Sequence, residues 1–171
     1  MRSRRVRGFV GAAAALLLLA ACGKGSGTVQ PTETTAQAVQ RVEELVEEAF
    51  ARIPAGATLQ FNDGTDRMPC DDPTDNGPKG RIFVEKRYKV VPSAAGAWPA
   101  DQAIPALVAF WAERGYRLHD DGRDRRDPKY VVETPDGYMV IVKGWNRGDH
   151  YDYTLTGSSP CIWANGTPDP Q

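Results

Sequence analysis

The chain has 171 residues, of which 41% are hydrophobic and 25% charged, and its formal net charge is −1. Those are ordinary globular values for about one domain, and they disfavour collagen-like, coiled-coil and disordered classes. Near-neutrality argues against a nucleic-acid binder, which carries a basic surplus, and 17 Gly with 13 Pro predict plentiful loops.

The first element is not part of a fold. Arg2, Arg4, Arg5 and Arg7 precede an uncharged run from Gly8 to Ala21. A basic segment followed by 14 uncharged, mostly apolar residues has the form of a secretory signal, and it falls short of the roughly 20 residues a membrane-spanning helix needs. Its end, Leu19-Ala20-Ala21-Cys22 followed by Gly23, resembles the lipobox of bacterial lipoproteins. An ordinary signal-peptidase site fits less well, because Leu19 stands where a small residue is wanted. The resemblance implies a diacylglyceryl group on the Cys22 thiol and cleavage that leaves Cys22 as the mature N-terminus. Two or more acyl chains make a stable anchor where one is marginal. Ser3-Arg4-Arg5 also resembles the start of a twin-arginine signal, but Arg7 and Gly8 occupy places where that pattern prefers apolar residues.

The expected organisation is a signal peptide over 1–21, a lipidated flexible tether over 22–35 and one domain over 36–171. The mature chain keeps 17 cations and 22 acids, a net charge of −5, which suits attachment by lipid rather than attraction to anionic headgroups. Residues Gly23 to Thr35 are small, polar and free of aromatics, the composition of a tether. Lipidation of Cys22 leaves Cys70 and Cys161 as a pair, and an oxidising compartment allows them to bond. Closing a loop of about 90 residues is worth roughly 4–5 kcal/mol in the chain-entropy picture.

A helix follows the tether. Val39, Val42, Val46, Ala49 and Ile53 recur at helical spacing with glutamates largely opposite. Thr34 and Gln37 form a potential capping box, and Pro54 with Gly56 ends the helix. Leu59 and Phe61 predict a short strand, and Asn62 to Gly80 a loop. In the strand Arg81–Val91, Ile82, Val84, Tyr88 and Val90 share one face, which Lys86 interrupts in the manner of an edge or a bulge. A second helix spans Asp101 to Arg114, with Gly115 closing it. Short strands follow at Tyr116–His119, Tyr130–Thr134, Tyr138–Gly144 and from Tyr151 onward, with Pro135-Asp136-Gly137 as a hairpin turn. The fold class is α+β: two helices packed on one face of an antiparallel sheet of about four to five strands, stapled by one disulfide.

This layout resembles small exported lipoproteins of high-GC Gram-positive, actinobacterial type. The motifs that carry the likeness are the lipobox, the polar tether, Pro69-Cys70-Asp71-Asp72-Pro73 and Ser158-Ser159-Pro160-Cys161. The resemblance implies a fold and a location on the outer face of the cell membrane, and no catalytic residues.

Candidate chemistry is sparse. The acidic run Asp71, Asp72, Asp75, Asn76, Gly77 lacks the glutamate that completes a calcium loop, since Phe83 occupies that position. A solvated turn suits it better. His119 and His150 show no metal-ligand spacing, and neither Ser158 nor Ser159 sits in a nucleophile elbow. Arg147-Gly148-Asp149 matches an adhesion tripeptide but is also what a hairpin turn contains. No Gly-rich phosphate loop occurs, so no cofactor and no metal are expected. Among the tryptophans, Trp111 lies on an apolar helix stripe, whereas Trp98, Trp145 and Trp163 fall near segment ends and could line a ligand or partner surface.

Two functions follow as expectations. The first is a non-catalytic lipoprotein, anchored through Cys22, that binds or modulates a protein or an envelope component, with no nucleic-acid partner. The alternative is a small cell-wall or peptide hydrolase. It would need His119 or His150 within hydrogen-bond reach of Ser158, Ser159 or a carboxylate in a cleft.

Overall fold

The computed structural model describes residues 32–70, 79–93 and 100–168. Helix α1, Thr35–Phe50, opens with the expected capping box: the Gln37 backbone N–H donates to the Thr34 hydroxyl at 3.4 Å, and the Thr34 N–H donates to Gln37 Oε1 at 2.9 Å. Such caps satisfy amides that the first helical turn cannot, and are worth about 1 kcal/mol. The helix stops before Ile53, yet Ile53 remains buried with Ala38, Val42, Leu45, Val46 and Ala49.

Six strands follow: β1 Ala57–Pro69, β2 Ile82–Pro92, β3 Arg117–Gly122, β4 Lys129–Glu133, β5 Met139–Asn146 and β6 Tyr151–Ser158. Helix α2, Ala103–Glu113, lies between β2 and β3 in sequence. The sheet order is β1-β2-β6-β5-β4-β3, every pair antiparallel. The α+β class, the two helices and the disulfide agree with expectation, but the strand count is six, not four to five.

The largest difference is in β1, expected as a short strand at Leu59 and Phe61 and found over Ala57–Pro69. Asn62 to Pro69 was expected in a loop because it is polar, and it is instead paired with β2. An edge strand beyond the helices need not present an apolar face, and polar residues with bulges protect its unpaired backbone. Register shifts at Phe61/Asp63 and Thr65/Met68 are such bulges. They flank Gly64, which stands opposite Lys86. Lys86 is therefore in an interior strand rather than on an edge. Its stem crosses Gly64 and its ammonium reaches Asp66 at 2.5 Å.

Direct cross-strand partners show which residues share a face. One row runs Tyr88, Leu155, Val142, Tyr130, and the next runs Lys86, Gly157, Val140, Val132. Both helices cover this face. A Cβ on Gly157 would fall 3.0 Å from both Val42 Cγ1 and the Val42 carbonyl oxygen, so the bare glycine lets α1 approach the sheet. The Trp111 ring of α2 stacks on Tyr130 with centroids 6.1 Å apart.

The ends of the chain are tied together. Cys70 and Cys161 form the expected disulfide, with Cα atoms 6.0 Å apart, joining the end of β1 to the segment after β6. That segment pairs with the start of β2 through an Ile82–Ile162 bridge. Thr32 to Thr35, expected to belong to the tether, are held on the same segment. The Thr32 N–H donates to the Gly166 carbonyl at 2.8 Å, the Thr35 N–H to the Ala164 carbonyl at 3.1 Å, and Thr34 bridges Asn165. The Tyr138 hydroxyl bonds the Glu33 carboxylate, and burial followed by that acid pushes the phenol well above its ordinary range. Among the described residues, no helix is long and apolar enough to cross a membrane.

Candidate ligand-binding face

Among the described residues, the other face of the sheet carries no helix. Its residues alternate with the core residues along each strand, so their identity follows from the same register. The row Glu85, Ser158, Met139, Glu133, Arg117 is followed by Arg87, Thr156, Ile141, Val131, Asp120. The third row is Gln60, Lys89, Thr154, Lys143, Lys129, Gly122. Thr154 and Thr156 are only 8% and 3% exposed.

The third row sets Lys143 directly opposite Lys129, and places Lys89 and Lys143 on either side of Thr154. Like charges directly opposite one another in a sheet are destabilising. Each lysine meets a different environment. Lys129 reaches Asp120 at 2.7 Å, and Arg125 reaches the same carboxylate at 3.2 Å. Hydrogen bonding from Lys129, with help from Arg125, holds the Asp120 carboxyl below its ordinary range. Lys143 places its ammonium 3.5 Å from the centroid of the Trp145 ring, a cation–π contact. Among the described residues Lys89 has no acidic partner, and it is exposed.

A groove of about 580 Å³ opens beside this row, lined among others by Arg87, Lys89, Trp145, Arg147, Asp152 and Thr154. The two arginines are occupied: Arg87 pairs with Asp63 at 3.2 Å and Glu85 at 3.0 Å, and Arg147 with Asp152 at 2.6 Å. These pairs fix the walls, whereas Lys89 and the half-buried indole in the groove, with Lys143 beside that indole, remain to meet a ligand.

Of the tryptophans singled out in sequence, Trp145 lines this groove and Trp163 does not. Trp163 is buried, and its backbone N–H donates to the Thr32 hydroxyl at 2.7 Å, at the far end of the sheet. The fold thus separates these two rings. Trp98, Cys22 and the acidic run 71–78 lie outside the described residues. Trp111 is in the core, at 1% exposure.

The fold separates His150 from Ser159, whereas it brings His150 to carboxylates, of which Asp152 also lines the groove. Ser159 is buried; its hydroxyl accepts from the Val84 N–H at 2.9 Å and donates to the Pro160 carbonyl at 2.8 Å, closing the end of β6. His150 precedes the other end of that strand, and eight strand residues span roughly 25 Å. His150 does meet carboxylates, Asp149 at 2.7 Å and Asp152 at 3.5 Å, but on an exposed turn. His119 is exposed on β3. Among the described residues, no group of His, Cys, Asp and Glu is arranged to hold a metal ion.

Single-sequence reading missed Lys89, Lys143 and Lys129 as a set. A period-2 pattern puts each on the outer face of its own strand, but only the strand order sets them in one row. Comparison with protein-family models, curated proteins and solved structures finds no match to this chain.

Proposed function

We propose that the protein is a lipid-anchored binding module on the outer face of the cell membrane, using its uncovered sheet face to hold a cell-envelope component. The lipobox ending at Cys22 supports the location. One observation carries the binding role: the lysine row beside the groove. A sheet face selected only for stability would not set two lysines directly opposite one another and leave a third without an acid partner. The face has the usual parts of a ligand site, a concavity with an aromatic surface and a few converging polar groups.

Two measurements test the reading. Cys22→Ala is expected to shift the protein from the membrane fraction into the soluble one, and continued detergent-dependent retention would sink the anchor. The purified protein is expected to co-sediment with isolated cell envelopes, and Lys89→Ala or Trp145→Ala to lose most of that binding. Unchanged sedimentation of both variants would show that the face is not the binding surface.

A further inference from the structure

We infer that the ligand of this face is an acidic saccharide, a sugar polymer carrying carboxylate or phosphate groups. This rests on the reading of the uncovered face as the binding surface, and three observations choose the chemistry.

The first is charge. The mature chain from Cys22 onward carries −5, so an anion approaching at random is repelled at long range. The lysine row is a local exception. Lys89 and Lys143 stand one strand to either side of Thr154, and opposed Cβ atoms are separated by about 5 Å. The two stems therefore leave the sheet about 10 Å apart. Flexible ammonium groups at that spacing can bracket one anionic group or two successive ones along a polymer. They act as point charges, without the two-pronged geometry an arginine would impose.

The second is the indole. Trp145 lies beside Lys143 on the same strand face and lines the groove. A pyranose ring has an apolar C–H face that packs on an indole and hydroxyls at its rim that need polar partners. Thr154, Asn62 and Asp152 line the same groove. A simple phosphate site would need the lysines but not the ring, and a neutral sugar the ring but not the lysines.

The third is position. The segment leading back toward Cys22 docks at Asn165, Gly166 and Tyr138, beside the start of β5. The groove lies at the other end of the same strand, at Trp145 and Arg147. Six residue steps from Met139 to Trp145 are about 20 Å. From Cys22 to Thr32 the chain spans at most about 35 Å. The root of the anchor and the groove therefore lie at opposite ends of the sheet, and a tether of this reach lets the groove meet polymer standing off the bilayer.

The test uses the protein purified from detergent-solubilised membranes. Titration with a hexagalacturonate, and separately with a phosphorylated oligosaccharide, is followed by tryptophan fluorescence and calorimetry. A neutral hexasaccharide, a hexaglutamate peptide and anionic phospholipid vesicles serve as competing probes. Expected are binding of at least one acidic saccharide, at least a tenfold weakening by Lys89→Ala and by Trp145→Ala with circular dichroism unchanged, and further weakening as salt rises from 50 to 500 mM. Equal or tighter binding of the neutral sugar, the peptide or the vesicles would overturn the assignment, as would failure of both acidic saccharides to bind. If envelope sedimentation still depends on Lys89 and Trp145 in that case, only the ligand class falls. If the sedimentation does not depend on them, the binding-face reading falls as well.

Discussion

The two faces of one sheet are built to different rules, and β6 displays both. Tyr153, Leu155 and Gly157 point toward the helices, while Asp152, Thr154, Thr156 and Ser158 point the other way. On the covered face each residue answers to shape. Gly157 makes room for α1, and Leu155 is fully buried in the row that Tyr130 and Trp111 extend. On the uncovered face charge governs the outer row, and the lysines there are held in check by Asp120 at one end and by the Trp145 ring in the middle. Stability resides on the first face, so the second is free to hold an arrangement that stability alone would not favour.

The sharpest way to break this contrast is to truncate the covered face. Leu155→Ala removes a side chain with 0% exposure and is expected to cost about 2–5 kcal/mol in chemical denaturation. A loss below about 1 kcal/mol would mean that the core is not concentrated under the helices. Overfilling is next in size. In Gly157→Val the new side chain meets Val42 and Val46, and the expected loss is about 1–3 kcal/mol.

The uncovered face should respond weakly. Lys89→Thr removes an exposed cation without an acid partner among the described residues, and its unfolding free energy is expected to change by no more than about 0.5 kcal/mol. A large destabilisation would assign Lys89 to the architecture and remove the argument for a ligand.

A further small effect, set apart by its pH dependence, concerns a contact at the edge of the helix-covered side, where Arg41 of α1 reaches Asp136 in the β4–β5 turn at 3.0 Å. Burial alone would raise the Asp136 carboxyl, but hydrogen bonds from Thr134 and Arg41 outweigh it and hold the group below its ordinary range. A depressed folded-state pKa stabilises above the unfolded carboxylate range and loses that contribution as pH falls through the folded value. Because both side chains are about a third exposed or more, the contribution is under about 1 kcal/mol. Denaturation of the parent and of Asp136→Asn should therefore differ slightly at pH 7 and converge near pH 3. A gap that widens on acidification would reverse the sign.

Reading the chain alone succeeded where the signal was local and failed where it was not. Thr34 and Gln37 are three residues apart, so their reciprocal cap was visible in the string. Pro135-Asp136-Gly137 was visible too, because Gly137 takes a positive φ of 86° that the turn requires. Val84, Tyr88 and Val90 announced their face by alternation. The polar stretch Asn62 to Pro69 was misread because strand pairing, not residue preference, makes it a strand. Lys86 suggested an edge or a bulge; the bulges lie in its neighbour β1, and nothing in the string says that Gly64 and Gly157 will flank it. Trp145 and Trp163 could not be told apart, since both fall near segment ends.

The sequence by itself determined the class of fold, the two helices, the face on which most strand residues lie and the pairing of Cys70 with Cys161. These rest on periodicity, capping and parity, which are properties of neighbouring residues or of a count. Only the tertiary structure decided the order β1-β2-β6-β5-β4-β3, and with it the row that joins Lys89, Lys143 and Lys129 and the separation of that row from the docked N-terminal segment. Lys89 and Lys143 are 54 positions apart in the chain, and they become neighbours across Thr154 because the last strand inserts between β2 and β5. Which cations meet is set by long-range hydrogen-bond register, and no local pattern encodes it.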